Sequence, residues 1–436
     1  MSSLLVTAPW LVPVSQPPIR DGAVLVQGDR IAAVGTAAEL IARYPGIEVE
    51  RFSAGVMCPG LVNAHTHLTL TALQGVVPPQ PFEQWLPKLV AALKPWEIAD
   101  HEASGVVGAE QCLLAGVTVV GDIAYGAAEV AQASAAGLGG VFYWELLGLH
   151  AEQVEEHLAY LRYPDSAEAY GPRVACGISP HSPYTSGPAL LQAVHRTATA
   201  AGAPSAIHVA ESCAEVELML SGTGALAGVA ARTAHGFLAP HTSTTRYLAD
   251  LGVLDGTTAV HLCHADQADI AVLARHVRGV VTCPRSNRYL DNPPPNVERF
   301  VKAGIAVGVG TDSSASNNDL DLMAEVRSIA HAEPAIAPHE LMTMATTGGA
   351  QAIGVHDRFG ALSPGLLADV AVFSVETGED PVGALLRSAG SSTVNAVMSS
   401  GQWRVRDGVL VNSNTAAAAR ARLARDRSLE ALANDS

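Results

Sequence analysis

Residues 59–68 read Pro59-Gly-Leu-Val-Asn-Ala-His-Thr-His-Leu68, and this stretch decides how the rest of the sequence is interpreted. An apolar run typical of a buried strand leads into it and is followed by His65 and His67. Side chains at positions i and i+2 of an extended chain point to the same side, so both imidazoles can reach one ion. The stretch therefore predicts a strand that carries two metal ligands to its C-terminal end.

Seven further apolar runs rich in valine and isoleucine follow, and longer segments of helical period separate them. This alternation is typical of βα units and a parallel sheet. Eight units favour a closed (β/α)8 barrel of the TIM type over residues 56–360, although periodicity by itself also fits an open doubly wound sheet. The predicted strands are Val56 to Val62, Val117 to Gly121, Gly140 to Leu146, Val174 to Ser179, Ser205 to Val209, Thr258 to Leu262, Gly279 to Cys283 and Ala306 to Gly310.

The two ends of the sequence differ from the middle. Residues 1–55 contain two short alternating strands around Gly28-Asp29, and residues 361–436 contain strands at Asp369 to Ser374 and Val394 to Val411. Neither end can bury a sheet face by itself, so we expect both to join in one small β-sandwich. From about Thr415 onward the chain is rich in alanine and arginine and lacks proline and glycine, which predicts a final surface helix.

Composition excludes several classes of protein. The net charge is −16, from 26 basic and 42 acidic residues, so we expect no nucleic-acid partner. The six cysteines form no C-x-x-C pair and are typical of reduced thiols in a cytoplasmic protein. Pro9 and Pro13 interrupt the apolar N-terminus and no basic residue precedes it, so we expect no signal peptide, and no stretch is apolar enough to predict a membrane span.

The unusual polar residues favour the barrel over the open sheet. They fall at the C-terminal ends of the first and of the fourth to eighth predicted strands, the face at which barrel enzymes assemble their sites. His208 ends the fifth strand and Asp312 follows the eighth, and with His65 and His67 they form a set of three histidines and one carboxylate. Such a set suits Zn²⁺, or Fe²⁺ or Mn²⁺, with room for a water molecule.

The lysines argue for one ion rather than two. The sequence contains only Lys88, Lys94 and Lys302, and none lies at a strand end. A carbamylated lysine that bridges two ions is therefore not available, and a mononuclear site is favoured.

Two further residues fit around the water of such a site. Glu211 follows His208 by three residues and can act as a proton shuttle. The alternative is that it is a solvated carboxylate at a helix N-terminus. His261 ends the sixth strand and His264 follows in the loop, so we expect His261 to face the water and His264 to be structural. A carboxyl group and an imidazole beside the water are the groups that proton transfer requires.

Together these segments resemble the amidohydrolase superfamily, in particular its mononuclear branch of cytosine deaminases and chlorohydrolases. The resemblance covers almost the whole chain. It implies that His65, His67, His208 and Asp312 are metal ligands, that Glu211, His261 and Asp312 are catalytic, and that no organic cofactor is needed. The segments that carry it are Pro59 to Leu68, His208 to Ser212, Val260 to His264 and Gly310 to Asn318.

Two segments are similar to deaminases of adenosine derivatives, the methylthioadenosine and S-adenosylhomocysteine deaminases. Pro180-His-Ser-Pro-Tyr184 resembles a loop whose histidine contacts the nucleoside, which implies a substrate-binding role for His181. Phe82-Glu-Gln-Trp-Leu86 resembles a segment near the ribose, which implies such a role for Glu83 and Trp85. The alternatives are that His181 caps the loop and that Trp85 packs in the barrel.

Three other segments resemble the Deinococcus-type branch of aminodeoxyfutalosine deaminases. They are Tyr143 to Leu146, Thr245 to Val253 and Cys283-Pro-Arg-Ser-Asn287. Residues 142–160 lack the arginines with which homocysteine-nucleoside deaminases bind the amino-acid tail, so we expect Arg285 or Arg288, with Ser286 and Asn287, to meet an anionic tail. The alternative is that Arg285 only braces its loop by pairing with a nearby acid.

The resemblance implies hydrolytic deamination of a 6-aminopurine nucleoside, with aminodeoxyfutalosine of the menaquinone route as the preferred substrate. The small nucleoside is then the expected partner, and a homodimer is the assembly considered. The alternatives are a methylthioadenosine, S-adenosylhomocysteine or adenosine deaminase, a hydrolase of guanine, a pterin or a triazine, and a non-catalytic binding protein.

Overall fold

A computed structural model describes residues 3–160 and 170–434 of the chain. Its strands, in chain order, are β1 (Ser3–Leu11), β2 (Ile19–Gln27), β3 (Arg30–Thr36), β4 (Glu48–Arg51), β5 (Val56–Pro59), β6 (Leu61–Thr66), β7 (Val117–Ala124), β8 (Gly139–Leu146), β9 (Val174–Pro180), β10 (Ser205–Val209), β11 (Thr257–His261), β12 (Gly279–Thr282), β13 (Val307–Val309), β14 (Val370–Phe373), β15 (Val394–Ser399), β16 (Gln402–Arg406) and β17 (Val409–Leu410).

Helices occupy most of the connections between these strands. The α-helices are α1 (Ala37–Arg43), α2 (Phe82–Leu93), α3 (Ile98–Leu114), α4 (Ala127–Ala136), α5 (Val154–Tyr160), α6 (Pro188–Ala201), α7 (Cys213–Ser221), α8 (Ala227–Thr233), α9 (Thr244–Asp250), α10 (Gln267–His276), α11 (Pro284–Tyr289), α12 (Val297–Lys302), α13 (Leu322–Ala332), α14 (Pro338–Met344), α15 (Thr347–Ala352), α16 (Pro381–Ser388) and α17 (Thr415–Asn434). Short 3₁₀ helices lie at Leu68–Leu73, Ala151–Gln153 and Ser314–Ser316.

Strands β6 to β13 form one parallel sheet in chain order. The sheet closes between its first and last strands, because Thr66 pairs with Asp312 in a parallel bridge and the Asp312 amide donates to the His65 carbonyl over 3.0 Å. The predicted (β/α)8 barrel is therefore confirmed. Each predicted strand overlaps a strand of this sheet, and the closing seam lies beside the predicted metal ligands.

Both ends of the chain contribute to a second, mixed sheet. Its order is β17-β16-β15-β14-β5-β1-β2-β3, with β4 paired parallel to β1. The antiparallel pair of β5 with β14 joins the two halves. Apolar residues of both halves, among them Val24 and Val372, share one buried cluster. The predicted small domain made of both ends is thus present, as one continuous sheet over a common core.

The first predicted strand, Val56 to Val62, combines two elements that the structure separates. Val56–Pro59 belongs to the sheet of the chain ends, and Leu61–Thr66 opens the barrel. The change of sheet falls at Gly60, whose amide donates to the Asp369 carbonyl and where a Cβ atom would collide with Thr118. Two short apolar strands joined by one glycine cannot be told from one longer strand by hydrophobicity alone.

The predicted final helix is α17, and it packs on α2 and α3. The Trp96 indole donates to the Ser428 hydroxyl over 2.8 Å. Arg420 and Arg427 both bond the fully buried Asp100 of α3. The helix thus covers the outside of the barrel, and a buried carboxylate ties it there.

Candidate active site

The polar residues singled out in the sequence converge at the C-terminal face of the barrel. His65 lies on β6 and His67 follows it, His208 lies on β10, His261 ends β11, and Asp312 follows β13. Parallel strands end at one edge of their sheet, so residues far apart in sequence meet there.

Three histidines and one aspartate have the spacing of ligands to a single ion. One ring nitrogen from each of His65, His67 and His208 lies within 4.8 Å of the others. Asp312 Oδ1 lies 3.4 Å from His67 Nε2 and 3.7 Å from His65 Nε2. Ligand atoms about 2.1 Å from a tetrahedral ion are separated by about 3.4 Å, so this set fits a zinc-sized ion.

Hydrogen bonds orient two of these ligands. His208 Nδ1 donates to the His181 carbonyl over 2.7 Å, which leaves Nε2 to face the cluster. Asp312 Oδ2 accepts from the hydroxyls of Ser286 (2.5 Å) and Ser316 (2.9 Å), which leaves Oδ1 toward the histidines. Such outer partners hold a ligand in the orientation that a metal needs.

The protonation states also suit a metal site. Burial lowers the pKa of His65 and of His208 well below the usual value, so both rings stay neutral at physiological pH. Burial raises the pKa of Asp312, but attraction to His67, His261 and His65 outweighs it and brings the pKa to about 2. Within the described residues, His65 Nε2 is buried and has no hydrogen-bond partner. A cation is the partner that this unpaired nitrogen lacks.

Glu211 lies beside the cluster as a buried acid. Its Oε1 is 3.9 Å from His261 Nε2. Burial raises the pKa of Glu211 to about 7, although His261 opposes the shift. Its position is set by Glu215, which accepts the backbone N–H groups of Ala210 and Glu211 over 2.8 and 2.9 Å. A carboxyl group in this state can both give and take a proton near neutral pH.

His261 faces this site, whereas His264 points elsewhere. His261 Nδ1 lies 3.0 Å from the Asn287 side-chain oxygen, which fixes the proton on Nδ1 and leaves Nε2 toward Glu211. His261 and Leu262 have φ angles of 72° and 57°, a backbone conformation that ends β11 in a sharp turn. His264 Nε2 instead contacts Cys213 Sγ at 3.7 Å.

The loop after β12 was expected from the sequence to bind the tail of the substrate. In the structure its polar side chains contact other residues of the protein instead. Ser286 bonds Asp312 and Asn287 bonds His261, so these two side chains lie behind the candidate ligand Asp312 and behind His261. Arg285 pairs with both oxygens of Asp319, at 2.7 and 3.1 Å, and approaches Glu325 at 3.7 Å. The guanidinium is therefore occupied within its own chain, because two carboxylates more than 30 positions later fold back onto it.

A cavity of about 560 Å³ opens from the cluster to the surface. His181 and Trp85 line it, as the sequence predicts, and Glu83 of the same helix is not among its lining residues. Phe82, Leu89, Val90, Leu147 and Leu290 make much of its wall apolar.

Several polar residues of this wall were not predicted from the sequence, among them Tyr125, Glu145 and Arg232. Glu145 lies next to the last residue of β8 and Tyr125 directly follows β7. Both positions could have been predicted from the sequence, because they lie at the C-terminal ends of the second and third barrel strands, like the histidines at the ends of other strands.

Among residues 3–160 and 170–434, no helix is long and apolar enough to cross a membrane. The fold and the cluster of histidines and aspartate define a barrel hydrolase with a candidate metal centre. The chain belongs to the amidohydrolase family, whose model matches residues 56–404, and it is accordingly a hydrolase that acts on C–N bonds. Residues 22–46 also match an imidazolonepropionase-like composite domain of bacteria.

Known relatives include two curated enzymes and a solved structure. The chain is 30% identical to a 5-methylthioadenosine/S-adenosylhomocysteine deaminase of Pelotomaculum thermopropionicum, over 88% of each chain. It is 34% identical to an aminodeoxyfutalosine deaminase of Deinococcus radiodurans, over 76% of this chain and 81% of that one. An adenosine deaminase of Xanthomonas campestris with bound zinc superposes with a TM-score of 0.86, at 25% identity over 98% of both chains.

Proposed function

We propose that the protein deaminates a 6-aminopurine nucleoside by hydrolysis, with one divalent ion, Zn²⁺ in the first place, held by His65, His67, His208 and Asp312. The observation that carries the proposal is the convergence of a buried acid, Glu211, and an oriented imidazole, His261, beside four metal-type ligands at the base of one cavity. Deamination of a purine needs these parts, because it adds water at C6 and moves protons to two nitrogens.

A divalent ion held by His65, His67, His208 and Asp312 would supply a water molecule of lowered pKa as the nucleophile near neutral pH. Asp312 takes the proton of the attacking water, and the hydroxyls of Ser286 and Ser316 hold its carboxylate in place. Glu211 donates its proton to the adjacent ring nitrogen, so that no negative charge develops on the ring. His261 Nε2 accepts a hydrogen bond from the new hydroxyl at C6, and Asp312 returns its proton to the departing ammonia. The proton of the C6 hydroxyl then passes to Glu211 as the 6-oxo group forms, which restores the acid.

Aminodeoxyfutalosine is the substrate that we propose first. The relative in Deinococcus radiodurans and the apolar outer wall of the cavity support it, because this nucleoside ends in a benzoate. The second candidate is a methylthioadenosine or S-adenosylhomocysteine deaminase. It is supported equally, since the relative in Pelotomaculum thermopropionicum matches a larger share of the chain.

The test is a comparison of kcat/KM on aminodeoxyfutalosine, methylthioadenosine, S-adenosylhomocysteine and adenosine, with guanine as a control from outside the nucleosides. Release of ammonia and formation of the 6-oxopurine are measured together. The proposal expects turnover of the nucleosides, with aminodeoxyfutalosine highest. Turnover of guanine alone would contradict the deamination of nucleosides, and preference for S-adenosylhomocysteine would contradict only the choice among them.

A further inference from the structure

The charges around the cavity are unevenly distributed. Near the histidine cluster its wall carries Glu145, whose carboxylate lies within 4.8 Å of ring nitrogens of His181 and His208. At the outer end it carries two exposed cations, Arg232 on α8 and Lys94 directly after α2. A ligand that extends from the cluster to the surface therefore passes an acid first and cations last.

Glu145 is hydrogen-bonded by the Tyr125 side chain, but one of its two carboxyl oxygens has no partner among the described residues. Its Oε1 is buried and accepts no hydrogen bond from any residue in the described ranges. A buried oxygen without a partner is costly, so a donor from the bound ligand fits this position, such as a sugar hydroxyl. A second carboxylate placed here would be repelled.

Arg232 has the opposite character. It lines the cavity from the last turn of α8, and in the described part of the chain it forms no ion pair or hydrogen bond. The same wall includes the exposed apolar side chains of Val90 and Leu147. An unpaired guanidinium beyond an apolar surface is suited to an anion on the far end of an apolar group.

We propose that this cavity selects nucleosides whose 5′ substituent is uncharged and apolar next to the sugar and anionic at its far end, with Arg232 binding the anion and Glu145 binding sugar hydroxyls. The inference rests on the proposed nucleoside deaminase activity and specifies its substrate class, an arylcarboxylate nucleoside. It assigns the anionic end of the tail to Arg232 of α8 and not to Arg285, which was expected from the sequence.

The test uses two synthetic substrates that differ by one charge: 5′-(phenylthio)-5′-deoxyadenosine and its 3-carboxyphenyl analogue. The Arg232→Met variant should lower the ratio of kcat/KM for the carboxylate over the phenyl compound about tenfold, the value of one exposed charge-assisted hydrogen bond. Arg232→Lys should restore part of the ratio, and added salt should reduce it in the parent enzyme.

Arg288→Met is the matched control, because Arg288 bonds Ser328 and is not among the residues that line the cavity. It should leave the ratio unchanged. An unchanged ratio in Arg232→Met, with thermal stability equal to that of the parent, would overturn the assignment of Arg232. An equal fall in both variants would show a general effect of charge and would overturn it as well.

Glu145→Gln tests the inner half of the proposal. It should raise kcat/KM for 5′-(carboxymethylthio)-5′-deoxyadenosine, an anion without an ammonium group, relative to the phenyl compound by about tenfold, because a carboxylate close to the sugar is then no longer repelled. A relative rate that stays the same would overturn the role of Glu145. If the parent enzyme deaminates none of these nucleosides, the proposed function fails together with the inference, whereas turnover of the phenyl compound with an unaltered ratio refutes the inference alone.

Discussion

Two features of Glu211 suit it to donate a proton: its raised pKa and its fixed position. It is buried, with a pKa raised to about 7 by that burial, and Glu215 holds its backbone from behind. Replacement by glutamine keeps the size of the side chain and removes the proton that it can donate. The effect of this single change therefore separates catalysis from metal binding.

We expect Glu211→Gln to retain about one metal ion per chain and to lose about 10²- to 10⁴-fold in kcat/KM, the usual contribution of a general acid. Elemental analysis and steady-state kinetics on the preferred nucleoside measure the two quantities. Glu217→Gln, an exposed position on α7, serves as the control and should match the parent. Loss of the metal from Glu211→Gln would instead make Glu211 a ligand.

The two histidines at the end of β11 offer a second test at single residues. His261→Ala should lower kcat/KM by about 10²-fold, because Nε2 can then no longer bond the oxygen at C6. His264→Ala should have almost no effect, since that ring contacts Cys213. Kinetics of the pair at equal metal content decide between them. The reverse order of the two defects would mean that the roles assigned to the histidines are exchanged.

At the level of elements, the strand ends could be predicted and the contacts between loops could not. Each of β6, β10 and β11 is a short apolar run that ends near a histidine. This pattern lies within about ten residues, so the site histidines could be predicted from the local sequence. Arg285 is different, because its partner Asp319 lies 34 residues later and meets it only after both loops have folded. No local pattern distinguishes a cation that binds substrate from one that is already paired.

An acid pair, Asp122 of β7 and Glu129 of α4, lies close to the proposed metal ligands. Asp122 Oδ1 accepts a hydrogen bond from the backbone N–H of Leu68, the residue after His67, over 2.9 Å. The carboxyl group of Glu129 interacts with the Asp122 carboxyl group. Burial raises the pKa of Glu129 to about 7, and burial with the nearby Glu129 raises the pKa of Asp122 well above its usual value. The Asp122 carboxyl is therefore protonated at neutral pH, and the pKa of Glu129 lies close to that pH.

This pair should make the protein less stable as the pH rises. Between the usual pKa of about 4.5 and the folded value, the folded protein binds more protons than the unfolded chain, so the free energy of unfolding falls with increasing pH. Glu129→Gln should flatten the curve of Tm against pH from about 5 to about 8. Thermal melts in that range, with Glu217→Gln as the control, measure the slope. A slope identical to that of the parent would show that the pair does not titrate there.

Across the whole molecule, the proposed metal ligands lie on both sides of the seam that closes the barrel. They come from β6 and the residue that follows it, from β10 and from Asp312, three residues after β13, and the seam between β6 and β13 is closed by the bridge of Thr66 with Asp312. An ion bound to both sides of the seam adds a cross-link to the folded state only. Its binding free energy therefore adds to the stability of the barrel.

We expect removal of the ion with a chelator to lower Tm, and Zn²⁺ to restore it. An ion present at about 1,000 times its Kd contributes about 4 kcal/mol to the free energy of unfolding. The control is His67→Ala, in which the chelator should change Tm little because a ligand is already missing. Two bound ions per chain in the parent, found by elemental analysis, would contradict the mononuclear site.

The sheet made of both chain ends also has a consequence for the time at which the protein matures. Trp403 of β16 donates to Glu50 of β4, a partner 353 residues earlier. A ribosome that adds about 5–20 residues per second needs roughly 20–70 s to synthesise that interval. During this time the first strands have an unpaired edge and an exposed apolar face. Nascent chains in this condition bind chaperones or aggregate. The first residues to leave the ribosome are thus among the last to reach their native pairing.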